Sequence, residues 1–100
     1  MRPAKLAPDA VASFVAAHPD WSFDGSALRR EVKLEGFSAP LALAVRVGML
    51  AEKHDHHPDL ELGWGRLAVS WTTHDAGGVT ELDLRLAELT EQLTPREGSS

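Results

Sequence analysis

The sequence predicts an α+β domain in the order α-β-β-α-β-β-α, with helices covering one face of a four-stranded antiparallel sheet. Three observations predict it. Apolar residues recur at helical spacing in three separate stretches, near Val11, from Leu41 and from Val79. Between the stretches lie two pairs of short alternating segments. A turn signal joins each pair, Asp24-Gly25 in the first and Gly65-Arg66 in the second. Strands joined this way pair antiparallel, and the helices must bury their stripes against them.

The first helix spans Pro8 to Ala17. Proline suits its first turn, Leu6 can staple onto it, and Val11, Phe14 and Val15 form its apolar stripe. His18-Pro19 stops it, because the residue before proline avoids the helical region. Trp21 to Asp24 is a short strand. Leu28 to Glu35 is the next, with Leu28, Val32 and Leu34 on one face and Arg29, Glu31, Lys33 and Glu35 on the other. Arg30 is the odd residue on the apolar face. Ser38 is expected to cap a long helix with Pro40 in its first turn. Leu41, Val45, Gly48, Met49 and Glu52 recur at spacings of 3 and 4 and are expected to be its buried stripe, ending at Glu52. Pro58 blocks any continuation, so His54 to His57 occupy the helix exit.

Leu60 to Thr73 reads as a hairpin. A two-residue turn at Gly65-Arg66 sets Trp64 opposite Leu67, Leu62 opposite Val69 and Leu60 opposite Trp71, with all six on one side. Extended one step, that register brings His57 opposite His74. Thr80 caps the last helix, whose apolar positions Val79, Leu82, Leu86, Leu89 and Leu93 repeat at 3 and 4. One domain over residues 1–94 is expected, followed by a disordered tail from Pro95 to Ser100.

Composition excludes several function classes. The chain has 100 residues, no cysteine and a net charge of -5. Disulfides, thiolate nucleophiles and Cys-type zinc sites are therefore absent. There is no basic stripe for nucleic acid, because Arg29, Arg30 and Lys33 are diluted by Glu31 and Glu35. No secretory signal is legible and no apolar run approaches the roughly 20 residues that span a membrane. A cytoplasmic protein is expected. The core is small for its length, so a homo-oligomer is expected too.

Four of the five histidines bracket the second hairpin, in Glu52-Lys53-His54-Asp55-His56-His57-Pro58 and Thr73-His74-Asp75. Imidazole both gives and takes protons near neutral pH. Two adjacent histidines, a third from across a hairpin and nearby carboxylates suit proton transfer on a bound small molecule. A solvated helix terminus, a zinc site using Asp55, and chance are the competing readings. Adjacent His56 and His57 diverge on any regular element, which disfavours a shared metal. Asp83 has the capping-box spacing to Thr80, so a structural role is its default. Glu52 is either a binding carboxylate or an edge residue. Trp21, Trp64 and Trp71 read as core residues, although Trp21 stands outside any periodic stripe.

The strings Glu52 to Asp59, Thr73-His74-Asp75 and Gly78-Val79-Thr80-x-x-Asp83-x-x-Leu86-Ala87 together resemble pterin-4a-carbinolamine dehydratases, over about Trp21 to Leu93. The resemblance implies dehydration of a 4a-hydroxytetrahydropterin to the quinonoid dihydropterin, with no metal and no organic cofactor. It implies that His56, His57 and His74 are the active-site histidines. It implies Glu52 and Asp83 as supporting acids and Trp21 as the substrate-side tryptophan, with Asp55 beside the histidines. It also implies a homodimer or homotetramer with a pterin as its small-molecule partner. Trp64 and Leu62 depart from the family, which usually has tyrosine and often asparagine there. A non-catalytic dimerisation or coactivator module, and a pterin-binding protein of molybdenum-cofactor metabolism, are the alternatives on the same fold.

Overall fold

A computed structural model describes residues 3–95. Its elements are α1 (Pro8–Ala17), β1 (Ser22–Phe23), β2 (Leu28–Lys33), α2 (Ser38–His54), β3 (Asp59–Gly63), β4 (Arg66–Trp71) and α3 (Glu81–Leu93), with a 3-10 turn at His74–Ala76 before α3. The expected order and class hold. Of the expected tail, all but Pro95 lies outside the described residues.

The sheet is antiparallel, in the order β1-β2-β4-β3. β2 and β4 are the two inner strands, and β4 is the more buried of them. Leu67, Val69 and Trp71 enter the core, while Ala68 on the other face is also buried, paired with Glu31 and Glu61. The core face of β2 supplies Leu28 and Val32, opposite Trp71 and Leu67. Arg30 sits between them on that face, only 7% exposed, and reaches Asp20 at 3.6 Å. Its alkyl stem fills core volume while its charge is carried to the rim, as long cationic side chains allow.

The hairpin register differs from the expected one by two residues. Leu62 pairs with Leu67, Leu60 with Val69 and Asp59 with Ser70. The turn is Trp64-Gly65, with glycine second and at φ 78° rather than first. Gly65 also donates to Gly36 and accepts from Leu34, which seats the turn on the loop after β2. A shift of two residues keeps every side chain on its face, so the pattern of alternation could not detect it. Trp64 is in the turn and exposed, not paired with Leu67.

In α2 the expected stripe is the wrong one. Pro40, Leu43, Val47 and Ala51 are buried, whereas Leu41, Val45 and Met49 are exposed and Glu52 stands in solvent with them. Both sets recur at helical spacing, so this helix is apolar on two faces. The sheet covers one of them. Nor does Ser38 cap α2. Gly36, at φ 73°, turns the chain one residue earlier, and the Phe37 carbonyl accepts the first helical bond from Leu41.

α3 begins as expected. The Thr80 side chain accepts from the Asp83 backbone and the Asp83 side chain accepts from the Thr80 backbone, a reciprocal capping box. Leu86, Ala87 and Val79 are buried; Leu82, Leu89 and Leu93 pack partly buried against the core. No helix among the described residues is long and apolar enough to cross a membrane.

Candidate active site

The end of α2 re-aims two adjacent histidines. Asp55 adopts the left-handed conformation at φ 50°. The His56 N–H then bonds the Ala51 carbonyl at 3.1 Å and the Asp55 N–H bonds Glu52 at 3.3 Å. That is the Schellman pattern, which closes a helix and turns the chain sharply away from its axis. Glycine is the usual residue in that conformation. A non-glycine residue there costs about 1–2 kcal/mol, although aspartate is among those that tolerate it best. The strain falls at a cavity, where strained backbone tends to serve function.

That cavity, about 230 Å³, is lined by Asp55, His56, His57, Thr72, Thr73, His74 and Asp75. All three expected histidines border it. They meet by a different route from the expected one, because strand pairing ends at Asp59 and Ser70 and His57 is not laddered to His74. His74 instead enters from the 3-10 turn that follows β4.

His56 is the most constrained of the three. Its Nε2 lies 2.6 Å from Asp83 Oδ1. Its ring stacks on Trp71, with centroids 5.8 Å apart and planes 12° apart. Trp71 is itself held, donating from Nε1 to Thr90 Oγ1 at 3.1 Å. Asp83 has no solvent exposure, and its Oδ2 accepts from the Thr80 N–H at 2.9 Å and the Thr73 hydroxyl at 2.7 Å. Those donors commit Oδ2 and leave Oδ1 facing the imidazole. The carboxylate therefore fixes the proton on Nε2 of His56, and Nδ1 is the nitrogen left to exchange protons. The capping box and the histidine's orientation rest on the same buried carboxylate.

The other residues are held more loosely. His57 Nε2 lies 2.8 Å from Glu52 Oε1, and both side chains are mostly exposed. The His74 ring makes no hydrogen bond or ion pair with the described residues. Glu52 and Asp83 do not line the cavity; they reach it through His57 and His56. Trp21 does not line it either. It is 2% exposed within the core, and its Nε1 has no hydrogen-bond partner among the described residues. It belongs to the core cluster that includes Val11 of α1 and is not among the residues that line the cavity. Among the described residues, no group of three or more histidines and carboxylates is placed to hold a metal ion.

Two supporting residues carry no sign of that role in the sequence. Trp71 reads as core from its alternation, yet it also stacks on the His56 ring. Thr73 reads as one letter of the Thr-His-Asp string, yet its hydroxyl donates to Asp83. Trp71 and Thr73 are two apart and both buried, so the alternation that placed Trp71 inward also pointed Thr73 toward Asp83.

The model of one protein family, Pterin 4 alpha carbinolamine dehydratase, matches residues 4–93. The chain belongs to that family. Among curated relatives of this dehydratase family, a Chloroflexus aurantiacus protein is 37% identical over 89 residues, covering 89% of this chain and 96% of its own. A Rhizorhabdus wittichii protein is 44% identical over 79 residues, covering 77% and 81%. Both are named as candidate pterin-4-alpha-carbinolamine dehydratases. A crystal structure from Brucella melitensis, described as a transcriptional coactivator/pterin dehydratase, superposes with a TM-score of 0.84 at 30% identity, over 91% of this chain and 99% of that one. The α+β architecture is thus that of a dehydratase-family structure.

Proposed function

We propose that this protein dehydrates a pterin-4a-carbinolamine to the quinonoid dihydropterin, with His56, His57 and His74 moving the protons. The observation that carries the reading is the buried Asp83 carboxylate aimed at His56 in a cavity shared with the other two histidines. The reaction breaks the C4a–O bond and the N5–H bond and releases water. One group must protonate the leaving hydroxyl, and another must take the proton from N5. Imidazoles poised near working pH do both.

His56 and His74 are assigned to the hydroxyl. His56 acts through Nδ1, since Nε2 is committed to Asp83. His57, with Glu52 behind it, is assigned to the ring nitrogen, and Asp55 borders the same cavity. The chemistry asks for no metal, redox centre or nucleophile, and the activity is placed in the cytoplasm. A direct assay with synthetic 4a-hydroxytetrahydropterin tests the reading. Catalysed water loss that survives exhaustive chelation is expected. No acceleration over buffer overturns the dehydratase reading, and loss on chelation with rescue by zinc overturns the metal-free one.

We also propose a homo-oligomer, a dimer or tetramer. Leu41, Val45 and Met49 form an apolar stripe on the open side of α2, and Leu60 and Leu62 add exposed apolar surface on β3. β3 is a sheet edge, with one side of its backbone unpaired. A second copy would cover both features at once.

A further inference from the structure

The course of its loop sets where the His74 imidazole stands. His56 has side-chain supports of its own in Asp83 and Trp71. The His74 ring has no hydrogen bond or ion pair with the described residues. Its loop runs from Thr73 to Gly78 and is closed at the base by a two-way bridge. The Thr73 N–H donates to the Gly78 carbonyl at 3.0 Å, and the Gly78 N–H to the Thr73 carbonyl at 3.3 Å. Between them the 3-10 turn and Gly77, at φ 79°, reverse the chain. Where the bridge moves, the imidazole moves with it.

The segment before α1 lies against that base. Pro8 opens the helix, and the residue before a proline avoids the helical region, so Ala7 is extended at φ -65° and ψ 149°. The chain therefore enters α1 from an extended arm. On this arm the Leu6 N–H donates to the Val79 carbonyl at 2.9 Å, while the Leu6 side chain packs partly buried against the core. One residue earlier, the alkyl stem of Lys5 crosses Gly78. A Cβ at position 78 would lie 3.0 Å from Cε of Lys5, 3.3 Å from Cδ and 3.4 Å from Cγ. Glycine there lets the stem lie directly on the bridge backbone. Gly78 is buried although Lys5 itself is exposed, the arrangement of a long cationic side chain that covers surface with its stem. Hydrogen bonds covered in this way are strengthened by the lower local dielectric.

We propose that Lys5 and Leu6 form a strap that holds the His74 loop in place for proton transfer, the Leu6 N–H and the Lys5 stem being positioning groups that act through Val79 and Gly78. The inference rests on the assignment of His74 to the leaving hydroxyl and adds residues that do not line the histidine cavity. Its test is a double-mutant cycle read with synthetic 4a-hydroxytetrahydropterin. Leu6→Pro removes the N–H donor and keeps an apolar side chain. It should lower kcat by about tenfold or more, since misplacing a reacting group by about 1 Å can cost about 100-fold. KM should change little, because the displaced group moves a proton. In a His74→Ala background the same substitution should change kcat by no more than about twofold, because the imidazole it misplaces is gone. A general loss of folded enzyme would instead lower the rate by the same factor in both backgrounds. Wild-type kcat in Leu6→Pro, or an equal fall in both backgrounds, overturns the strap and leaves the dehydratase reading intact. If Leu6→Pro does not fold, Lys5→Ala and Lys5→Met carry the test. Lys5→Ala removes the stem and should lower kcat several-fold, only where His74 is present. Lys5→Met keeps an unbranched stem without the charge and should match the wild type. Equal kcat for those two variants overturns the strap in that case. Wild-type turnover by His74→Ala alone overturns both the strap and the His74 assignment beneath it.

Discussion

At the scale of single residues, the site is organised by one carboxylate. Asp83 caps α3 and orients His56 with different oxygens, so its loss has two consequences that separate in measurement. Asp83→Asn should lower the melting temperature, because a buried amide cannot accept on both sides as the carboxylate does. If its Nδ2 turns to His56, Nε2 becomes the acceptor and the proton moves to Nδ1. The pH–rate profile should then change shape, a readout that loss of stability alone would not move. His56→Ala and His74→Ala should each lower kcat by about 10²- to 10⁴-fold, the usual range for a general acid or base. The double variant should retain almost nothing. Wild-type turnover by a folded double variant would place the chemistry elsewhere. Asp55→Gly should raise the melting temperature through release of the left-handed strain, and should lower activity because a cavity carboxylate is gone. These three histidines were legible as a group from their clustering. Their supports were not, because Trp71 and Thr73 carry no chemistry of their own and acquire a role only through what they touch.

At the scale of elements, α2 shows what periodicity leaves open. Two stripes share the helical repeat, and packing alone decides between them. Leu43→Ala should cost about 2–5 kcal/mol of folding stability in denaturant unfolding, as for other buried leucines. Leu41→Ala should cost far less within a folded monomer, since Leu41 is exposed. Equal costs would restore the stripe that the spacing first suggested. The β1–β2 turn offers a pH test. The Asp24 carboxyl is held below 3.8 in the folded state, chiefly by the Ala27 N–H. A depressed folded value stabilises the fold where the carboxyl is ionised in both states, above 3.8. That contribution is lost as pH falls through the folded value. Asp24→Asn should therefore flatten the acid limb of a melting-temperature profile and leave its neutral limb parallel to the wild type.

At the scale of the whole molecule, the open stripe of α2 and the edge strand β3 lead to the oligomer. Sedimentation at micromolar concentration should show a dimer or larger. Met49→Glu should shift it toward monomer without unfolding it, because the side chain has no core contacts to lose. A wild type that sediments only as monomer would remove the proposal. The order of seven elements, the capping box at Thr80 and Asp83, the stop at Pro58 and the histidine cluster were all determined by the sequence itself. Each is local: a proline, a cap or a periodic stripe acts on neighbours a few residues away. The hairpin register, the buried face of α2, the inward burial of Trp21 and the contact of Asp83 with His56 were decided only by the tertiary structure. A two-residue slip conserves the side-chain faces, and two apolar stripes on one helix are equivalent until a sheet covers one. His56 and Asp83 stand 27 residues apart, joined only because the Schellman turn ending α2 and the cap opening α3 converge beside Trp71.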